Sequence, residues 1–293
     1  MRTEREMMDL ILRVAQDDPR IRAVYMNGSR TNPNVPKDIF QDYDIVYVVT
    51  ETGSFRQKPD WIDIFGKRLC LQLPEEMNRM LGHEEDCDNC YGYLMLFADG
   101  NRIDLHLQTV PYAQKAILRD KLCRVLLDKD GVLPPVPAST DEDYWVQRPT
   151  QELFTCCCNE FWWLQNNIAK GLWREEIPYA MDMLNFWIRP QLTKMLSWQV
   201  GVQTGFSCSV GKSGKYLPRY LSQNIWEQYR NTYPAGQIPA IWDAVFCMCN
   251  LFDEAARKVA AQCGLHYNEE EARGSRFFLN TVHRLPKDAA EIL

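Results

Sequence analysis

An α/β half followed by an all-helical half is the architecture the sequence predicts, and three observations carry it. Before Val132, short runs rich in β-branched and aromatic residues follow one helix-like segment. Leu133-Pro134-Pro135-Val136-Pro137 is stiff and unfavourable to helix, so it reads as a linker between domains at residues 1–135 and 136–293. Beyond it, the long segments place their apolar residues at helical intervals.

The elements follow in order. Met7, Leu10, Ile11 and Val14 recur at helical spacing, which predicts a helix over residues 3–16, ended by Asp17, Asp18 and Pro19. Residues 21–26 make a short strand that closes on Asn27-Gly28-Ser29, and after a Pro/Asn-rich loop residues 43–49 make a buried one. Residues 93–97 and 103–107 flank Ala98-Asp99-Gly100-Asn101-Arg102, a glycine-containing connection suited to a hairpin. Residues 124–127 are expected as a further strand. Helices are expected over 150–170, 179–198, 221–233 and 238–263, with Thr150 placed to cap the first.

Bulk properties narrow the class. A chain of 293 residues, 46 % hydrophobic and 25 % charged, can bury a core without disulfide staples. The opening MRTEREMMDLILRVAQDD interrupts its apolar residues with charge, unlike a signal peptide. No apolar run approaches the roughly 20 residues that span a bilayer. A cytoplasmic protein with no membrane partner is therefore expected. Eleven cysteines, three of them consecutive at Cys156 to Cys158, are expected as reduced thiols. Cys87 and Cys90 form a C-x-x-C with His83 four residues upstream of Cys87, but no fourth zinc ligand stands nearby and the segment is acidic, so a loop with two free thiols is the simpler reading. A formal net charge of -6 disfavours nucleic acid as a partner and suits a cationic substrate. His266 and His283 sit in polar surroundings without a motif. Nothing in the sequence assigns an oligomeric state.

The chemistry concentrates at two strand ends. Gly28-Ser29 closes one strand, giving close backbone approach and N–H donors for a phosphate. Asp42-Tyr43-Asp44 enters the next, and side chains two apart on a strand share a face. Two such carboxylates repel one another unless a cation or proton compensates, and Mg²⁺ accepts paired carboxylates while keeping waters and phosphates in its other positions. In Arg102-Ile103-Asp104-Leu105-His106-Leu107, the apolar residues alternate with Asp104 and His106, which should lie on the face opposite the core. If this strand neighbours the other, three acids converge.

Gly28-Ser29-Arg30, Asp42-Tyr43-Asp44 and Ile103-Asp104-Leu105 resemble the nucleotidyltransferase superfamily that includes DNA polymerase β. Over nearly its full length the chain is similar to the streptomycin-modifying aminoglycoside 6-adenylyltransferases, through EREMMDLIL, FQDYDI, YLMLF, RIDLHL, LLDKDG, CCNEFWW and SWQVGVQTGFSCSVGKSGKY. The triad pattern is superfamily-wide; the last two segments are specific to the antibiotic-modifying branch. The resemblance implies an α/β N-terminal nucleotidyltransferase domain with a mixed sheet, plus an all-α C-terminal helical bundle. It implies that Asp42 and Asp44 hold two Mg²⁺ ions bridging the phosphates of ATP. Asp104 then completes the metal site or accepts the proton of the substrate hydroxyl. Gly28, Ser29 and Arg30 are expected at the triphosphate.

Lys212, in Gly211-Lys212-Ser213-Gly214-Lys215, is expected to serve the same phosphates from a basic loop. That loop is not a P-loop, whose pattern needs glycine where Phe206 stands. An antibiotic bearing guanidinium groups needs carboxylates and aromatic faces, and Glu160, Trp162, Trp163 and Asp182 offer both, although tryptophans at helical spacing are more often core. The expected reaction is transfer of AMP to a streptomycin hydroxyl with release of pyrophosphate, conferring resistance. Two rivals remain: a different acceptor (a lincosamide, a nucleotide or a protein hydroxyl), and a binding protein that keeps the fold without catalysing. The intact Asp42, Asp44 and Asp104 argue against the second.

Overall fold

Alternation along the strands decides how the first half is layered. In the computed structural model, which describes residues 1–292, six strands form one sheet: β1 (Ile21–Asn27), β2 (Tyr43–Val49), β3 (Arg68–Gln72), β4 (Cys90–Phe97), β5 (Arg102–Thr109) and β6 (Cys123–Asp128). Their spatial order is β3-β4-β5-β2-β1-β6. The sheet is mixed, because β2 and β5 run parallel while the other neighbours are antiparallel. Val24 and Met26 of β1, Ile45 and Tyr47 of β2, and Leu105 and Leu107 of β5 point into one core with helix α1 (Glu4–Asp17). A capping box between Thr3 and Glu6 starts that helix and is worth about 1 kcal/mol.

The opposite face is covered only in part. Ala23, Tyr25, Val46 and Val48 pack there with Ala113, Ile117 and Cys123. Three short helices lie in the connections: α2 (Gly53–Arg56), α3 (Pro74–Met80) and α4 (Val110–Ala116), the last carrying Ala113. Asp44, Asp104 and His106 alternate with core residues and so project from this second face.

Two features of this half escape a reading by pattern. β3 is an edge strand whose Leu69 and Leu71 are exposed, so it shows no buried alternation. The proline-rich stretch 133–137 is no free spacer. The Asp128 carboxylate accepts the N–H groups of Val132 and Leu133, each at 3.0 Å. Leu133 and Val136 pack on the second-face cluster. The first compact unit accordingly runs to Asp143 and the second begins at Tyr144, beyond the expected 135/136 boundary.

The second unit is helical: α5 (Gln151–Trp173), α6 (Ile177–Asp182), α7 (Arg189–Thr204), α8 (Gln223–Asn231), α9 (Ile238–Cys263) and α10 (Glu269–Arg284). Its core includes Phe161 stacked on Phe252 with centroids 3.7 Å apart. Thr150 caps α5 by accepting the Leu153 N–H at 3.3 Å. The single helix expected over 179–198 is interrupted by a π-helical segment, Met183–Ile188. Pro190 supplies the reason, since it lacks an N–H and its ring displaces the carbonyl four residues back. Helix α10 has its own signature, an Asn268 cap followed by Glu269, Glu270 and Glu271 in the first turn. All eleven cysteines are free thiols. No helix among the described residues is long and apolar enough to cross a membrane.

Candidate active site

Where β1 ends, the chain turns sharply beneath a carboxylate. Gly28 has φ +74°, and a Cβ on it would lie 2.1 Å from Asp44 Oδ2, so glycine is required on both counts. The Gly28 carbonyl accepts the Thr31 N–H at 3.0 Å and the Thr31 hydroxyl at 2.8 Å, closing the turn that carries Ser29. The Gln41 side-chain amide donates to the Ser29 carbonyl at 3.3 Å, tying this turn to the approach to β2.

The parallel pairing of β2 and β5 sets Asp44 directly opposite Asp104. Asp42, two residues before Asp44, lies just ahead of β2. Arg102, two residues before Asp104, donates to both Asp104 oxygens from Nε and Nη2 at 2.8 and 2.7 Å, and its third guanidinium nitrogen lies 3.5 Å from Asp42 Oδ2. A positive charge is thus already lodged among three acids. Burial pushes the Asp44 carboxyl up to about 6, with Asp104 and Asp42 acting in the same direction. Asp42 is also raised, chiefly by burial, against the opposing pull of Arg102. A half-buried acid cluster that raises its own proton affinity and recruits a guanidinium has the donor set that suits a divalent cation.

Arg30, expected at the triphosphate, is engaged with the protein itself. Its guanidinium donates to the carbonyls of Asp42 at 3.0 Å and Gln41 at 2.8 Å, and stacks over the Tyr43 ring at 3.7 Å. Its side chain is 6 % exposed and also faces Glu4 at 3.5 Å. Arg30 therefore fixes the backbone that presents Asp42 and Asp44.

In the second unit, Lys212 opens a short 3₁₀ turn, Lys212–Gly214; Ser213 and Gly214 within it and Gly211 just before it all have positive φ. Helix α7, not a strand, leads toward this loop, and Phe206 packs against Gly201. A P-loop is excluded. Gly211 and Ser213 border a cavity of about 420 Å³ that also meets Lys194 and the Arg189 guanidinium. Lys194 is exposed at its edge and Lys212 is exposed on the loop, whereas Arg189 is buried and donates to Thr232.

The residues expected to meet an antibiotic divide. Trp162 is core, its indole N–H donating to the Tyr267 hydroxyl at 3.0 Å. Trp163 is 67 % exposed and borders a groove of about 400 Å³ with Asn159, Asn166 and Glu271. Glu160 is half-buried on α5 and Asp182 is exposed at the end of α6. The π-helical segment, which packs against α5, exposes Phe186 and Trp187. These two aromatics and Glu271 escaped the sequence reading; the Pro190 that disturbs the helix was the available clue.

A family model described as streptomycin adenylyltransferase matches residues 1–282 of the chain. Two relatives are each 42 % identical: an aminoglycoside 6-adenylyltransferase of Campylobacter jejuni, covering 91 % of both chains, and one of Bacillus subtilis (strain 168), covering 91 % of this chain and 93 % of the relative. A third, from Staphylococcus aureus, is 33 % identical over 96 % of this chain and 99 % of its own. The crystal structure of an aminoglycoside 6-adenyltransferase from Bacillus subtilis aligns at 35 % identity over 97 % of this chain and all of the other, with a TM-score of 0.48. The acid cluster, its glycine turn and this length of similarity coincide in one chain, which belongs to the streptomycin adenylyltransferase family.

Proposed function

We propose that this protein transfers AMP from Mg-ATP to a hydroxyl of a streptomycin-type aminoglycoside, releasing pyrophosphate and so conferring resistance. The observation that carries the proposal is the placement of Asp44 opposite Asp104, with Asp42 alongside and the Gly28-Ser29 turn against them. Asp42, Asp44 and Asp104 would hold two Mg²⁺ ions, which polarise the α-phosphate and neutralise charge on the leaving pyrophosphate. The hydroxyl oxygen bonds to the α-phosphorus as the bond from that phosphorus to the bridging oxygen of pyrophosphate breaks, with Asp104 either completing the metal site or accepting the hydroxyl proton. Arg102 grips both Asp104 oxygens in the state described here, so proton uptake requires that grip to loosen. Gly28 and Ser29 present the turn to the triphosphate, Arg30 holds the acids in register, and Lys212 supplies positive charge from its loop.

On the acceptor side, Glu160 and Asp182 offer carboxylates to the guanidinium groups, and exposed Trp163 offers a ring face. Phe186, Trp187 and Glu271 extend the same chemistry. The AMP added to the antibiotic brings bulk and negative charge to a ligand that works by binding RNA. ATP use and eleven free thiols favour a cytoplasmic enzyme. Mass spectrometry of streptomycin incubated with the protein and Mg-ATP tests the proposal. A gain of one AMP is expected; unmodified streptomycin beside a modified lincosamide or other acceptor would refute the assignment.

A further inference from the structure

Glu75, Cys90 and His106 meet on the second face of the sheet, with one ligand atom from each lying within 4.8 Å of the others. Register builds this meeting. His106 pairs with Gly92 across β4 and β5, and Cys90, two residues from Gly92, shares its face. Glu75 arrives from the first turn of α3, where its carboxylate accepts the Gly92 N–H at 2.9 Å. A Cβ at Gly92 would sit 3.2 Å from the His106 ring and 3.3 Å from Glu75 Oε2, so the missing side chain leaves the room in which the two converge.

We propose that Glu75, Cys90 and His106 form a second metal site, for a zinc-class ion, separate from the carboxylate triad. A thiolate with an imidazole and a carboxylate matches zinc and discriminates against magnesium, which prefers oxygen alone. Tetrahedral bonds to these atoms imply ligand separations of roughly 3.3–3.7 Å, inside the 4.8 Å within which the three atoms already lie. Three protein ligands leave a fourth position open. The C-x-x-C in the sequence is thus half used: Cys90 turns to Glu75 and His106, while Cys87 is buried elsewhere, its carbonyl accepting the Thr52 hydroxyl at 2.7 Å. His106 lies two residues along β5 from Asp104, roughly 7 Å, so the two metal sites would be neighbours on one strand.

Cobalt titration of the metal-stripped full-length protein tests the site. One equivalent of Co²⁺ should give a thiolate-to-cobalt charge-transfer band and the intense visible bands of four-coordinate cobalt. Zn²⁺ should displace it; excess Mg²⁺ should not. Cys90→Ser should abolish the charge-transfer band, and His106→Ala and Glu75→Gln should each weaken Co²⁺ at least tenfold. Cys87→Ser and Asp44→Asn should leave the titration unchanged. Circular dichroism and the melting temperature report that each variant is folded. No charge-transfer band, a band that survives Cys90→Ser, or saturation only at millimolar cobalt would overturn the proposal.

Discussion

The two units arrange their chemistry in opposite ways. In the first, each acid stands at a fixed strand position: register sets Asp44 against Asp104, Gly28 leaves the space for Asp44, and Arg30 and Arg102 brace the ends. In the second, part of the candidate ligand-binding set stands on departures from regular structure, a positive-φ loop around Lys212 and a π-helical segment that exposes Phe186 and Trp187, while Glu160, Trp163 and Glu271 line ordinary helices. Transferring a phosphoryl-linked group needs reacting atoms held to fractions of an ångström, which a sheet provides. Recognising a bulky polycation tolerates, and profits from, surfaces that adapt. Disturbing the first unit should therefore change turnover, and disturbing the second should change apparent affinity.

The largest effect is expected from Asp44→Asn. Removing a metal-binding charge should lower turnover on the order of 10³-fold, measured as pyrophosphate release with Mg-ATP and streptomycin. The same variant should be more stable than the wild type at neutral pH. The folded-state value of Asp44, about 6, lies above its ordinary 3.8, so the fold favours the neutral acid. Its stabilising contribution is complete below the ordinary value and is lost as pH rises through about 6. Melting curves in chelator should show the variant ahead by a few degrees at pH 7.5 and level with the wild type near pH 4.

Gly28→Ala comes next. It combines a positive φ with a Cβ set against Asp44, and should cost about 1–3 kcal/mol in stability as well as most of the turnover. Arg30→Ala should lower turnover and stability together, because the carbonyls of Gln41 and Asp42 lose their donor, worth about 1–3 kcal/mol. A loss of ATP affinity alone in Arg30→Ala would return it to the triphosphate.

How much of this was legible follows the same division. Strand alternation puts Asp42, Asp44 and Asp104 in view because period-two patterning and face assignment are the same fact. Arg102 and Arg30 were readable as residues but not as braces, since their partners are a carboxylate two residues along and carbonyls eleven and twelve residues along. The β3 edge strand and the docking of residues 133–137 were hidden, because exposed leucines and prolines carry no burial signal until the partner surface is known. The interruption before α7 was signalled by Pro190 alone, and the register change it forces depends on how α5 packs there. Trp162 and Trp163 are adjacent in sequence, yet one is core and one is exposed, which helical phase resolves only once the buried stripe of α5 is fixed.

Smaller effects are expected from the second unit. Lys212→Ala should raise KM for ATP about tenfold, since one charge-assisted contact to phosphate is worth about 1.5–3 kcal/mol before solvent screening. Its melting temperature should not move, because Lys212 is exposed. Trp163→Ala should raise KM for streptomycin two- to fivefold, in line with about 0.5–1 kcal/mol for an exposed ring and a cation. Steady-state kinetics with each substrate varied separately will check both, and a fall in kcat without a change in KM would break the proposed division of labour.

Divalent-ion binding at the acid cluster is reached most directly by electron paramagnetic resonance of Mn²⁺ with a non-hydrolysable ATP analogue. The wild type and Glu75→Gln should bind the ion alike, and Asp44→Asn and Asp104→Asn should each lose it. Wild-type affinity in both aspartate variants would contradict the account.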